Sequence, residues 1–523
     1  MAITSLEFLG FCICAIILFV IFPKKYRWIA LLISSIAFYI ISAKTLIFFM
    51  LFTSVTIYLA ARLLDSRIKL YDEKLKAPDL EKQQKKALKT ELTHKKRVIV
   101  TIALILNIGI LVVFKVFNYF TAAFTMIAGI FTGGSGDALT LIIPLGISYY
   151  TFSTVGYLLD VYWKRYECEK NPVRFFLYTI YFPHIVQGPI SRYNRLGKEL
   201  RKPELHFTWN NFVVGMERIL LGCFKKLVIA DRASVFVSST LTVDGQSGCI
   251  YLLAIILDAI QIYADFSGYM DIVCGVSKMF DVELEENFNH PFLATSVPDF
   301  WRRWHMSLGS WFKDYVYYPL TLTKGVKKLN KNVMGWKSPH LKKLVVIIIP
   351  VLITWICTGL WHGTGYGYLM WGFYYGILIA LSVTLTDVVD KFNEKLHVNR
   401  DAFSYRIFRT VKIFCIFMGG RFLGTPMSLE HRGFVIKQIF TSFKGFNIFD
   451  FGLDAKNFAI IIVGVIIIIA IAAIEQKKNI FEWFNSQNRI FCAIIIWIFF
   501  FAVFLLGVYG GSFDTGNFMY QQY

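Results

Sequence analysis

A histidine held inside apolar sequence is the first feature of this chain with chemical consequences. His362 lies in Thr358-Gly359-Leu360-Trp361-His362-Gly363, and residues 344–386 hold no other Asp, Glu, Lys, Arg or His. An ionisable side chain at the centre of a bilayer costs about 2.5 to 3.5 kcal/mol on insertion scales, so such a residue is a functional candidate by default. A neutral imidazole has one donor and one acceptor and an unperturbed pKa of about 6.5, which suits it to take a proton from a hydroxyl while a carbonyl is attacked. The structural alternative is a helix-packing histidine bonded to a backbone carbonyl. Gly359, Gly363, Gly365 and Gly367 weaken the helix here and let backbones approach closely.

A second candidate is the aromatic, basic stretch Asp299-Phe300-Trp301-Arg302-Arg303-Trp304-His305-Met306-Ser307 and its continuation to Tyr315. Read as one helix, it puts Trp301 and His305 at i,i+4 and Arg302 and His305 at i,i+3, so an aromatic, a guanidinium and an imidazole share a face that suits an anionic group. An interfacial amphipathic helix has the same composition, because Trp, Tyr and Arg concentrate at headgroup level. Asp265 and Asp271 also stand in apolar surroundings. Six residues apart they share a helix face poorly, and pairing with a cation or capping a helix accounts for them better than catalysis does. His184, in Tyr181-Phe182-Pro183-His184, ranks below His362 because the neighbouring prolines predict a loop.

Phosphate-binding P-loop, Gly-x-Ser-x-Gly and His-Glu-x-x-His patterns are missing, which removes the commonest ATPase, hydrolase and zinc-enzyme readings. The nine Cys are scattered, and the close pair Cys12 and Cys14 has no metal-type partners, so neither a disulfide framework nor a metal site is expected.

The elements that must position these groups are membrane helices. Hydrophobic residues make up 56% of the chain and charged ones 17%, and mean hydropathy is +0.53. Secreted, disordered and nucleic-acid-only proteins do not have this composition. Nearly uncharged runs at 8–22, 28–43, 45–61, 98–114, 138–159, 344–361, 363–386, 458–474 and 490–513 approach or reach the ~20 residues a crossing helix needs. Less regular runs lie at 116–136, 175–191, 212–224 and 248–264. Ten to twelve crossings are expected, within a single membrane domain over 1–523 that has no transporter-type repeat.

The formal net charge of +20 sits in loops. Residues 62–97 hold twelve Lys or Arg against six Asp or Glu, and 321–343 hold seven Lys and no acid. Both are predicted to be cytoplasmic, which puts the N-terminus outside.

The two histidines, 57 residues apart, and their surroundings resemble the membrane-bound O-acyltransferase (MBOAT) family. In that family an Asn or His in a Trp-Arg-Arg-Trp-His segment precedes a membrane-embedded His in a Leu-Trp-His-Gly segment. Further stretches are similar to its bacterial alginate O-acetyltransferase, AlgI-like branch: Pro144-Leu145-Gly146-Ile147-Ser148-Tyr149-Tyr150-Thr151-Phe152, Phe182-Pro183 with Gly188-Pro189-Ile190-Ser191-Arg192, Asp265-Phe266-Ser267-Gly268-Tyr269, and Asn287-Phe288-Asn289 with Pro291-Phe292. Two departures bear on the polymer. The Gly- and Asn-rich turn after the Tyr-x-Pro-Leu segment is replaced by a lysine-rich stretch from Thr321 to Lys328, and a His common after the next Trp-Gly is here Tyr375.

The resemblance implies an all-α polytopic bundle with tilted and re-entrant helices around a central tunnel, and a catalytic core over 144–376. It implies acyl transfer, most simply of acetyl, from a cytoplasmic thioester (acetyl-CoA or another acyl thioester) to an extracytoplasmic polysaccharide at the bacterial plasma membrane. No bound cofactor is expected. An extracytoplasmic esterase-like protein and the polysaccharide synthesis machinery are the implied partners, besides membrane lipid, and no nucleic acid is. His362 would be the general base and His305 would polarise the donor or the oxyanion. Arg302, Arg303, Trp301 and Trp361 would bind substrate. The alternatives are D-alanyl transfer to teichoic acid, as in the related DltB branch, and a non-enzymatic polysaccharide or lipid exporter.

Overall fold

A computed structural model describes residues 1–78, 80–132, 142–363, 365–443 and 447–509, with the backbone alone for 118–132. The described residues form helices and connecting turns without a strand. The chain packs as two compact units, one of Met1, Leu6–Asn211 and Ser277–Glu285, the other of Ala2–Ser5, Phe212–Val276 and Glu286–Tyr523.

The first unit holds the helices Leu6–Ile21, Arg27–Ala43, Ile47–Leu75, Lys82–Thr132, Ile147–Tyr162 and Pro172–Ile180. Its basic segment continues the helices on either side of it rather than forming an open loop. Lys69 and Lys95 pair with Asp65 and Glu91 one turn back, at 2.8 and 2.7 Å, and Lys95 Nζ donates to the Tyr71 hydroxyl at 2.8 Å. Opposite charges at i,i+4 keep a polar helix going beyond its apolar length. Nearly every residue of Ile147–Tyr162 is buried, and its N-terminal neighbour Gly146 has φ +69° against the backbone of Ile185, an approach that a Cβ would block. His184 is buried in a short helix, Phe182–Ile185, instead of the expected loop, because Pro183 occupies the first turn, where its missing N–H costs nothing.

In the second unit, glycines set how closely two helices approach. A Cβ on Gly268 of Gly248–Met279 would stand 2.7 Å from the Gly222 carbonyl oxygen of Trp209–Cys223, and one on Gly275 would stand 2.6 Å from that of Gly215. The seven-residue spacing on both helices makes a seam of small residues, the device by which membrane helices bring their backbones together. Beyond Cys223 the chain takes a wide π-type turn over Phe224–Ala230. There Lys225 Nζ meets Asp271 at 2.6 Å, and Lys226 Nζ meets Asp265 at 2.6 Å and Asp231 at 2.8 Å. The two carboxylates expected to need cations thus have them.

Among the described residues, seven helical stretches are long and apolar enough to cross a membrane: Lys24–Leu75, Lys82–Phe117, Gly248–Met279, Pro339–His362, Tyr366–Thr384, Ala455–Glu475 and Arg489–Leu506. Lys24–Leu75 contains two of the helices above, and Leu6–Ile21 is apolar but shorter. The weak runs at 175–191 and 212–224 form helices too short to cross, Phe182–Ile185 and Trp209–Cys223 among them. Parts of the runs at 116–136, 138–159 and 490–513 lie outside the described residues.

Candidate active site

His305 is placed by a backbone pairing with residues 287–289. Asn289 N–H donates to the Arg303 carbonyl and Met306 N–H donates to the Asn287 carbonyl, both at 2.9 Å. His305 itself has φ +46° and ψ +53°, a left-handed conformation costly for a residue with a side chain. It separates the short helices Val297–Trp301 and Met306–Phe312. The single helix expected through this stretch is therefore broken at the imidazole, and the shared face of Trp301, Arg302 and His305 does not form.

The Asn287 side chain closes around this corner. Its Oδ1 accepts the Ser307 N–H at 3.0 Å and the Ser307 hydroxyl at 2.8 Å, and it lies 3.2 Å from His305 Nδ1. Its Nδ2 donates to Met270 Sδ at 3.2 Å. The Phe266 ring packs on the imidazole edge-to-face at 4.8 Å between centroids. His305 lies outside the seven apolar stretches, and burial pushes its pKa down to about 3, so it is neutral at pH 7.

His362 is the last residue of Pro339–His362. Ser338 caps that helix by accepting the Leu341 N–H, with Pro339 in the first turn. The helix packs on Tyr366–Thr384 through glycines. A Cβ on Gly372 would stand 2.6 Å from the Trp355 carbonyl oxygen, and one on Gly359 would strike that of Tyr368. The imidazole is buried against Trp361 at 4.8 Å and Trp371 at 5.1 Å. Trp301 completes the aromatic wall, 4.6 Å from both Trp355 and Tyr375 and 5.4 Å from Trp371. Tyr375 thus packs on Trp301 and donates its hydroxyl to the Phe417 carbonyl at 3.3 Å. A cavity of about 30 Å³ opens beside His362, lined by Trp301, Trp304, Tyr368, Trp371 and Arg421. Arg421 is held there by Asp258 at 2.8 Å.

A larger cavity, of about 300 Å³, has Met306 in its wall, next to His305, and charged residues around it, including Arg218, Lys225, Asp271, Glu286 and Lys478. Arg218 bridges Asp271 at 3.2 Å and Glu286 at 2.5 Å.

Of the expected site residues, His305, His362, Trp361 and Trp301 come together, with Trp361 in ring contact with both imidazoles, 5.8 Å from His305. Arg302 and Arg303 do not line either cavity. Both bond to Asp299, at 3.4 and 3.2 Å, and the Arg302 side chain is 73% exposed. Asn287, Trp371 and Arg421 have places at the site that were not assigned from sequence. Asn287 was visible only as part of the Asn287-Phe288-Asn289 motif. Among the described residues no group of three or more His, Cys, Asp or Glu could hold a metal ion.

Known proteins are similar to this chain in sequence. The Azotobacter vinelandii protein named probable alginate O-acetylase AlgI is 29% identical over 286 residues, 54% of this chain and 53% of that protein. The Helicobacter pylori peptidoglycan O-acetyltransferase is 28% identical over 326 residues, 57% of this chain and 58% of the relative. The Bacillus subtilis teichoic acid D-alanyltransferase is 31% identical over 258 residues, 49% and 62% of the two chains. The matched stretch spans about half the length of the alginate relative. The model of MBOAT, the membrane-bound O-acyltransferase family, matches residues 33–428, which include both histidines, and the chain belongs to that family.

Proposed function

We propose that this chain transfers an acyl group, most simply acetyl, from a cytoplasmic thioester to a hydroxyl of an extracytoplasmic polysaccharide. The observation that carries this reading is the pair of buried imidazoles on one tryptophan, with a charged cavity that has Met306 in its wall and a small aromatic one beside His362. The charged cavity takes the polar arm of the donor, such as the phosphopantetheine of acetyl-CoA, and Lys478 in its wall meets the arm's anionic groups. The acyl carbon then sits between the two histidines, which are the groups able to move a proton there.

The size of the smaller cavity favours acetyl over D-alanyl. A cavity of about 30 Å³ holds only a few heavy atoms, since a single water already needs roughly 10–15 Å³.

The test is acetyl transfer by purified protein in lipid nanodiscs supplied with acetyl thioester and polysaccharide. His305→Ala and His362→Ala should each lower the rate by ~10²- to 10⁴-fold while the protein stays inserted and folded. Near-normal transfer by either variant at normal protein levels overturns the assignment of that residue. Transfer of D-alanyl in preference to acetyl moves the chain to the teichoic acid reading.

A further inference from the structure

Arg421 shares the small cavity with His362. Among the described residues in its wall Arg421 is the one permanent charge, and most of the others are aromatic. A buried ion pair is weak evidence for stability, because apolar residues of similar volume often replace one without loss. Packing alone therefore does not account for a guanidinium in this wall.

The helix that carries it, Phe403–Gly424, is fitted closely to Tyr366–Thr384. The hydroxyls of Tyr374 and Tyr375 donate to the carbonyls of Ile416 and Phe417, at 3.0 and 3.3 Å. A Cβ on Gly420 would strike the Tyr375 hydroxyl, and one on Gly424 would stand 3.2 Å from the Trp371 ring. Trp371 in turn packs on the His362 imidazole. The residues on either side of Arg421 thus tie it to the wall that holds His362.

The side chain is fixed as well. Arg421 Nε stands 2.8 Å from Asp258 Oδ2, and Nη2 donates to Oδ1 at 3.2 Å. Asp258 engages the Nε–Nη2 edge, and because the group is planar and rigid its Nη1 corner projects the other way. N–H groups oriented before the substrate arrives stabilise developing negative charge without reorganising, and most strongly where water is excluded.

We propose that Arg421 receives the acyl carbonyl oxygen and stabilises the oxyanion that forms on it, with Asp258 as the positioning residue behind it. This rests on the reading of His362 as the proton acceptor of acyl transfer. As the acceptor hydroxyl attacks the thioester carbon, the O–C bond forms, its proton passes to the imidazole, and the carbonyl electron pair moves onto the oxygen facing Arg421. The pair then returns, the C–S bond breaks, and the imidazolium gives its proton to the departing thiolate. The products are an ester and a free thiol.

The experiment measures kcat, donor KM and thermal unfolding in nanodiscs for the double variant Asp258→Asn with Arg421→Met, and for Arg421→Lys. The double variant leaves no charge buried alone, so its unfolding temperature should stay close to that of wild type. Its kcat should fall by ~10²- to 10³-fold, the loss expected for one oxyanion donor, with donor KM changed little because the charge develops only in the transition state. Arg421→Lys keeps the pairing with Asp258 but loses the fork that spans two acceptors, and its kcat should fall by roughly tenfold or more. Wild-type kcat in a folded double variant overturns the inference and leaves Arg421 as the counter-ion of Asp258. If the double variant does not fold, equal kcat for Arg421→Lys and wild type overturns it. Either outcome leaves the reading of the site intact as long as His362→Ala is inactive, whereas an active His362→Ala removes that reading too.

Discussion

His305 and Trp361 lie 5.8 Å apart between ring centroids, although 56 residues separate them in the chain, and the next residue after Trp361 is His362. One indole therefore touches the imidazole fixed by the Asn287 corner and the imidazole at the end of a membrane helix. Trp361→Ala removes this shared wall and admits water between the two groups. Transfer should fall by ~10²-fold, the scale expected when reacting groups are misplaced by about an ångström, with a rise in futile thioester hydrolysis. Trp361→Phe should recover at least a tenth of wild-type transfer. The measurement is transfer and hydrolysis on the same samples, and a Trp361→Ala protein with unchanged partitioning between them sinks the idea.

The two cavities and the surface arginines make separate claims on the donor. Arg302 is exposed and shares Asp299 with Arg303, and exposed pairs of this kind contribute little. Lys478 lines the charged cavity. Donor KM for Arg302→Glu should therefore change by less than about fivefold, while Lys478→Glu should raise it more and make it less sensitive to salt. The reverse pattern in a titration with acetyl-CoA would place the donor on the Arg302 surface.

Lys226 pairs with two buried carboxylates, Asp231 and Asp265. Burial works against its charge, but Asp265 and Asp231 together hold its pKa above the usual lysine range. The side chains of Lys226 and Asp265 are 3% and 2% exposed. Lys226→Met leaves two buried carboxylates without their cation, a loss of about 3 to 5 kcal/mol for a broken buried pair. Thermal unfolding of the purified protein should show a clear drop, and adding Asp265→Asn to Lys226→Met should recover part of it. Equal stability of the single and double variants would mean that the pair is not coupled.

The long spans and the two histidines were legible in the sequence because lipid imposes a simple rule on composition. The run at 458–474 emerges as Ala455–Glu475, and His362 stands out because nothing charged surrounds it. The break at His305 was hidden for the opposite reason. No residue from Trp301 to Met306 is a helix breaker, and the left-handed turn is imposed by pairing with 287–289, well before it in the chain. The family resemblance also put Arg302 and Arg303 on the donor path, but Asp299, three and four residues back, occupies both. Asp265 and Asp271 announced a need for cations. Their partners Lys225 and Lys226 follow a weak apolar run and read as its charged flank until the glycine seam brings the backbones together.

That seam bears on how the chain enters a membrane. Gly248–Met279 carries Asp258, Asp265 and Asp271, and each carboxylate, inserted alone near the middle of a helix, costs about 2.5 to 3.5 kcal/mol. Lys225 and Lys226 precede this helix and leave the ribosome first, whereas Arg421, the partner of Asp258, follows it by 163 residues. Two of the three charges can be neutralised as the helix is made, provided that it enters lipid together with Trp209–Cys223, glycines facing. Order of synthesis then becomes part of the folding route. When the helix has been made, one carboxylate still waits for an arginine not yet translated.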